Sequence, residues 1–114
     1  MDGPERAPVQ GGKTRTVRCR EDLLQRLTSH RDLLRQRFHV AGLSVFGSAA
    51  RDELRDSSDV DLLVEFETPA TFDGYLDLKD YLESVLARPV DLVTLNAARP
   101  RLLPRIEDEL VRVA

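Results

Sequence analysis

Two carboxylates one residue apart, Asp59 and Asp61, follow the dipeptide Gly47-Ser48 after a gap of ten residues. Like charges this close repel unless a cation lies between them, and Mg²⁺ commonly binds one or two carboxylates together with substrate phosphate oxygens. Glycine lets a backbone approach a ligand closely, and serine supplies a hydroxyl donor. Either motif alone is usually an ordinary turn or a solvated strand edge, but together and in this order they indicate metal and phosphate chemistry.

The segments around these motifs predict two strands that would position them. Alternate side chains of a strand point to opposite faces, so Asp59 and Asp61 share one face, and the other carries Val60, Leu62, Val64 and Phe66. Val40 to Phe46 predicts an earlier strand that ends at Gly47-Ser48. A helix that begins at Ala49 would direct free N–H groups at an anion.

Further elements are predicted by apolar spacing and by capping residues. They are an amphipathic helix from about Glu21 to Arg37, a helix capped by Thr71 and running to about Leu86, a strand from Val90 to Thr94, a helix from Arg99, and alternating residues at 110–113 compatible with a short edge strand.

Length and composition limit the class of protein. The 114 residues suffice for one small domain with a single core. A net charge of −3 and a pI of about 5.4 argue against general nucleic-acid binding. One cysteine, Cys19, allows no internal disulfide, and no apolar run reaches membrane-spanning length. With no signal peptide apparent, we expect a cytoplasmic protein without a membrane partner.

The N-terminal segment differs from the rest of the chain. Residues 1–18 are rich in glycine, proline and charge and poor in large apolar side chains, so we expect a flexible tail. The folded domain is expected over residues 19–114.

The spacing of Gly47-Ser48 and Asp59-Val60-Asp61 resembles the signature of the DNA polymerase beta-like nucleotidyltransferase superfamily. From about residue 21 to the C-terminus, the short chain resembles the minimal nucleotidyltransferase (MNT) branch. The resemblance implies an α+β fold with a small mixed sheet and helices packed on one face. Relatives often carry glycine where this chain has Asp52, which adds a negative charge near the expected phosphate site.

The resemblance also implies the chemistry and the site residues. The reaction would be nucleotidyl transfer from ATP with two Mg²⁺ ions. The family's third carboxylate lies on a later strand, for which Asp91 is the candidate, and a strand-edge aspartate is the alternative. The metal-binding and catalytic residues would be Asp59, Asp61 and Asp91, and the nucleotide-binding residues Gly47, Ser48 and Arg51. For Arg51 the alternative is an exposed helix arginine.

The acceptor and the partner follow only from the resemblance. MNT proteins of this size are antitoxins of HEPN-domain ribonuclease toxins, and some transfer AMP to a tyrosine hydroxyl of the toxin. The first hypothesis is such a protein adenylyltransferase, in a hetero-oligomer with its toxin. The alternatives are an antitoxin that acts by binding alone and a small-molecule nucleotidyltransferase, although such enzymes usually carry an extra domain. The motif does not distinguish a protein acceptor from RNA.

Overall fold

The computed structural model describes residues 15–114, so residues 1–14 of the predicted tail lie outside the described part of the chain. Val17 has 0% of its surface exposed, and its backbone N–H donates to the carbonyl of Leu86 at 3.0 Å. The packed core therefore begins before the predicted domain start at residue 19, and the flexibility of the tail stays a prediction.

A four-stranded mixed sheet forms the centre of the described chain. Its strands are β1 (Val40–Phe46), β2 (Val60–Phe66), β3 (Val90–Thr94) and β4 (Val111–Arg112), in the order β3-β2-β1-β4. Strand β1 is antiparallel to β2 and β4, and β2 is parallel to β3. A parallel pair needs a long crossover connection, which a helix between β2 and β3 supplies here.

Six helices accompany the sheet in the described residues. They are α1 (Arg20–Ser29), α2 (Arg31–Phe38), α3 (Gly47–Ala50), α4 (Phe72–Leu86), α5 (Leu95–Ala98) and α6 (Leu103–Ile106). None of these helices is long and apolar enough to cross a membrane.

The helix predicted from Glu21 to Arg37 is divided at His30 into α1 and α2. His30 has φ −101° and ψ 8°, outside the helical range. The Ser29 hydroxyl donates to the Arg26 carbonyl, a local bond that competes with the helical pattern. His30 Nδ1 lies 2.6 Å from the Tyr81 hydroxyl of α4, which anchors the break against another helix.

The strands and α4 follow the sequence prediction, whereas the helix predicted from Arg99 is only the short α6 (Leu103–Ile106), and α5 was not predicted. Strands β1 and β3 have the predicted bounds, and the Thr71 side chain accepts a hydrogen bond from the Gly74 N–H at 3.0 Å, which caps α4. The C-terminal segment forms α6 and the edge strand β4.

Two apolar clusters lie on opposite faces of the sheet. The larger lies between the sheet and the long helices and contains Leu23, Leu27, Leu34, Leu62, Leu78, Leu82 and Leu86. The smaller contains Phe46, Leu63, Ala98 and Ile106, with partly buried residues around α5 and α6. The predicted α+β class with a small mixed sheet is confirmed, and the structure adds this second cluster on the face that carries Asp61.

Candidate active site

The turn after β1 brings its backbone against the first residues of β2. Gly47 has φ +70°, in the left-handed region that glycine occupies without strain. A Cβ atom built on Gly47 would lie 2.2 Å from Asp61 Oδ2, closer than any real contact. Only glycine therefore fits here, and the close approach joins the predicted Gly-Ser motif to the predicted acidic strand.

The register of β2 and β3 places two of the predicted carboxylates side by side. Asp61 and Asp91 are direct partners in this parallel pair, so their side chains lie on the same face. Sequence alone could not determine this register. Asp59 immediately precedes β2 and lies two residues from Asp61, which places it on the same side by alternation.

The neighbouring negative charges change the pKa of Asp61. Partial burial and the charges of Asp91, Asp59 and Glu109 raise the pKa of Asp61 from its ordinary 3.8 to about 6, while Arg51 acts in the opposite direction. The site thus carries negative charge that the described residues only partly balance, and a cation would relieve it.

The donor set fits Mg²⁺ bound jointly by protein and substrate. Within residues 15–114 the structure brings together no group of three or more metal-binding side chains that could hold an ion by themselves. Mg²⁺ usually takes one or two carboxylates and completes its shell with phosphate oxygens and water. Asp61 and Asp91 provide such a pair, and a ligand set that also includes Asp59 stays a prediction.

The predicted phosphate-binding residues lie beside the carboxylates. Ser48 follows Gly47 in α3, a single turn that begins two residues before the predicted Ala49. Because α3 is so short, its dipole is small, and an anion there would depend on individual donors such as the Gly47 N–H and the Arg51 guanidinium.

Arg51 is bound to two glutamates rather than free in solvent. Its Nε donates to Glu53 at 2.9 Å, and its Nη1 lies 3.3 Å from both carboxylate oxygens of Glu109. The hydrogen bond that Arg51 donates to Glu53, with smaller contributions from the charge of Glu109 and the hydrogen bond donated to it, raises the pKa of Arg51. Arg51 is therefore a positive group at the edge of the site whose side chain stays 49% exposed, and its role in nucleotide binding stays a prediction.

Glu109 is a site residue that the sequence analysis missed. It accepts hydrogen bonds from the Gly47 N–H and from Arg51, although it lies 62 residues from Gly47 in the chain. No local pattern distinguishes it from its acidic neighbours Glu107 and Asp108. Only the packing of the C-terminal segment brings it to the turn after β1.

The Asp52 carboxylate binds the N-terminus of α1. The φ of Asp52 is +58°, in the left-handed region that glycine adopts without strain. Its Oδ1 accepts a hydrogen bond from the Arg20 backbone N–H at 2.9 Å, at the first residue of α1. The carboxylate therefore satisfies a helix N-terminus for which Cys19 supplies no side-chain cap.

Arg88 holds the loop that leads into β2, and the sequence analysis also missed it. Its side chain is only 6% exposed, and its Nη1 donates to the carbonyls of Arg55 at 2.8 Å and Ser58 at 3.0 Å. Ser58 immediately precedes Asp59. Arg88 thus positions the backbone from which Asp59 extends.

Comparison with known proteins agrees with this geometry. Residues 27–113 match the family model described as a nucleotidyltransferase domain. The protein adenylyltransferase MntA of Thermococcus cleftensis is 38% identical over 93 residues, which cover 82% of this chain and 94% of that protein.

Solved structures show the same fold. A structure named as a candidate minimal nucleotidyltransferase has a TM-score of 0.71 at 35% identity and covers 88% of this chain and 98% of that chain. A chain in the complex of tri-AMPylated Shewanella oneidensis HEPN toxin with MNT antitoxin has a TM-score of 0.59 at 20% identity, covering 80% and 71%, a likeness that shows the fold alone. This chain is therefore a nucleotidyltransferase that belongs to the nucleotidyltransferase domain family, as the Gly47-Ser48 and Asp59-Val60-Asp61 motifs predicted.

Proposed function

We propose that this protein is a Mg²⁺-dependent protein adenylyltransferase that transfers AMP from ATP to a tyrosine hydroxyl of a partner HEPN ribonuclease toxin and so neutralises it. The observation that carries the proposal is the pairing of Asp61 with Asp91 beside the Gly47 turn. The protein adenylyltransferase among its relatives supports the transferred group. The complex of an MNT antitoxin with an AMPylated HEPN toxin motivates the choice of partner.

In this proposal, different residues bind different parts of the ATP molecule. Gly47, Ser48 and Arg51 would bind the β- and γ-phosphates, and the carboxylates of Asp59, Asp61 and Asp91 would hold the two Mg²⁺ ions. When bound, these ions supply charge neutralisation on the phosphate and acidify the acceptor hydroxyl.

The transfer is an in-line displacement that balances without another reactant. The tyrosine oxygen forms a bond to the α-phosphorus, the bond from that phosphorus to the bridging α,β-oxygen breaks, and pyrophosphate leaves. The hydroxyl proton passes to solvent. Residues on the rigid end of β2 and β3 orient the α-phosphate for this attack.

The intact mass of the toxin tests the proposal. The product of the neighbouring gene, taken as the candidate toxin, is co-expressed with wild type, with the double variant Asp59→Asn/Asp61→Asn, or with the control Asp73→Asn. Asp73 is an exposed carboxylate in the first turn of α4, which follows the C-terminal end of β2, whereas Asp59 and Asp61 lie at the N-terminal end of that strand. We expect the toxin to gain mass in AMP steps with wild type and control only, and peptide mapping to locate the modified tyrosine.

A second candidate function is neutralisation by binding alone, and one contact favours it. Glu109 already occupies the Gly47 N–H and the Arg51 guanidinium, which the triphosphate would need. If the toxin gains no mass and yet is bound and inactivated by both the wild type and the double variant, this second function replaces the first.

A further inference from the structure

Two hydrogen-bond donors of the turn after β1 converge on one carboxylate. The Gly47 N–H donates to Glu109 Oε2, and the Arg51 guanidinium lies 3.3 Å from both carboxylate oxygens. A carboxylate and a terminal phosphate group present the same kind of anionic oxygen to such donors. Glu109 therefore occupies these donors in the way that a phosphate would.

The position of Glu109 allows its side chain to move away from these two donors. It lies between α6 and β4, and its backbone N–H donates to the carbonyl of Ile106 at 2.9 Å. Ile106 is 7% exposed and anchors this segment in the smaller apolar cluster, whereas the Glu109 side chain retains 27% exposure. Rotation about the side-chain bonds of Glu109 would vacate the donors without moving the backbone.

The surrounding charge opposes the simultaneous presence of Glu109 and a triphosphate. Glu109 is close enough to Asp61 for its charge to act on that carboxylate. A nucleoside triphosphate would bring several more negative charges to the same donors. Like charges at hydrogen-bonding distance destabilise each other strongly, so the two anions would exclude one another.

We infer that Glu109 is an internal competitor for the β,γ-phosphate subsite, and that it lowers the affinity for nucleoside triphosphates until it is displaced. The inference rests on the proposed function, because that function assigns the triphosphate to Gly47 and Arg51. It goes further by identifying the residue that sets triphosphate affinity and the contact that a nucleotide must break.

Calorimetric titration of the full chain tests the competition. Wild type, Glu109→Gln and Glu109→Ala are titrated with the Mg²⁺ complex of a non-hydrolysable α,β-methylene ATP analogue, with inorganic triphosphate, and with AMP. We expect both variants to bind the analogue and triphosphate about tenfold more tightly, equivalent to about 1.4 kcal/mol. The affinity for AMP should not change, because AMP lacks the β- and γ-phosphates.

Glu107→Gln is the matched control. Glu107 is an exposed carboxylate two residues away on the same segment. The Glu107→Gln variant removes one negative charge from the same region of the protein. It therefore measures how much triphosphate affinity rises from the change in net charge alone. We expect its triphosphate affinity to stay within about twofold of wild type, in line with the small effect of exposed, solvent-screened charges.

The outcomes separate the inference from the proposed function. If wild type binds the analogue but the Glu109 variants bind equally or more weakly, Glu109 is a positioning residue for the turn and the inference is wrong, while the proposed function remains. Equal tightening toward AMP and triphosphate would also overturn it. If none of the proteins binds the analogue or triphosphate, the proposed function fails and the inference fails with it. Thermal melts establish that each variant is folded, and if Glu109→Ala does not fold, the isosteric Glu109→Gln decides.

Discussion

At the scale of single residues, the site depends on how closely the turn after β1 approaches Asp61. Gly47 makes this approach possible through its φ of +70° and its missing side chain. Partial burial and the neighbouring carboxylates raise the pKa of Asp61, which means that they disfavour its charged form. Each of these two residues supports one prediction.

Replacement of Gly47 by alanine should damage both the fold and the site. The left-handed backbone alone would cost about 1–2 kcal/mol for a residue with a Cβ atom. The clash with Asp61 Oδ2, at 2.2 Å, would add to this and displace the carboxylate. We expect a lower melting temperature and loss of Mg²⁺·ATP binding, measured by calorimetry.

Gly42→Ala is the control for this prediction. Its Cβ would lie 3.4 Å from Arg112 Nη2, an ordinary contact with the tip of a flexible side chain. This variant should melt and bind nucleotide much like wild type. Wild-type behaviour of Gly47→Ala would mean that the close approach to Asp61 is not required.

The pKa of Asp61 predicts how the metal-free protein responds to pH. The folded state holds the proton of Asp61 up to about pH 6, whereas the ordinary value is 3.8. The folded state therefore binds more protons than the unfolded state in this window, and the free energy of unfolding falls as pH rises through it. In EDTA, Asp61→Asn should weaken this fall and melt at a higher temperature than wild type near neutral pH.

Chemical denaturation of both proteins in steps across that pH window measures this difference. Asp56→Asn, at an exposed position in the loop before β2, is the control and should retain the wild-type pH dependence. An Asp61→Asn protein with an unchanged slope would show that the like-charge environment does not destabilise the folded state.

At the scale of elements, Arg88, just after the end of α4, forms hydrogen bonds to the loop between α3 and β2. Helix α4 ends at Leu86, and the following residue, Ala87, has a φ of 53° that turns the chain so that Arg88 enters the interior. The two carbonyls that Arg88 binds belong to this loop, and the second lies one residue before Asp59. Hydrogen bonds from Arg88 thus connect the end of α4 to the loop that carries Asp59.

Arg88→Met should loosen this connection. The variant keeps much of the apolar stem but removes both charge-assisted hydrogen bonds, so we expect the free energy of unfolding to fall by about 1–3 kcal/mol. We also expect a higher Mg²⁺ requirement for AMP transfer, because Asp59 loses its support. Urea denaturation and Mg²⁺ titration of activity measure the two effects.

Arg88→Lys provides the comparison for that variant. A lysine can restore one donor to the loop carbonyls but not the shape of the guanidinium. It should recover part of the stability and part of the Mg²⁺ affinity. If Arg88→Met matches wild type in both measurements, the loop is positioned by other contacts, such as the Val60 N–H bond to the Pro89 carbonyl at 3.0 Å.

At the scale of the whole molecule, the fold collects negative charge at one edge of the sheet. The N-terminal ends of β2 and β3 supply Asp59, Asp61 and Asp91, and the C-terminal segment adds Glu109. In a chain of net charge −3, such an edge repels a nucleoside triphosphate unless cations accompany it. The mass of the co-expressed candidate toxin tests the proposed function at this scale, because the proposed AMP transfer would need the nucleotide, the cations and a second chain together.

The amount of the fold that could be predicted from sequence differs between local and long-range features. Strands β1 and β3 and the cap at Thr71 were predicted correctly because period-two apolar patterns and a side-chain cap are local signals. The break at His30 was missed because it depends on Tyr81, which lies 51 residues away.

The sequence by itself determined the class of chemistry, because Gly47-Ser48 and the paired aspartates of β2 combine residue types and spacing that serve metal and phosphate binding. The sequence could not determine which residues from distant segments of the chain lie next to them. The register that pairs Asp61 with Asp91 and the placement of Glu109 against Gly47 were decided only by tertiary structure. The physical reason is that strand register and the packing of the C-terminal segment arise from contacts between residues far apart in the chain, which leave no local pattern.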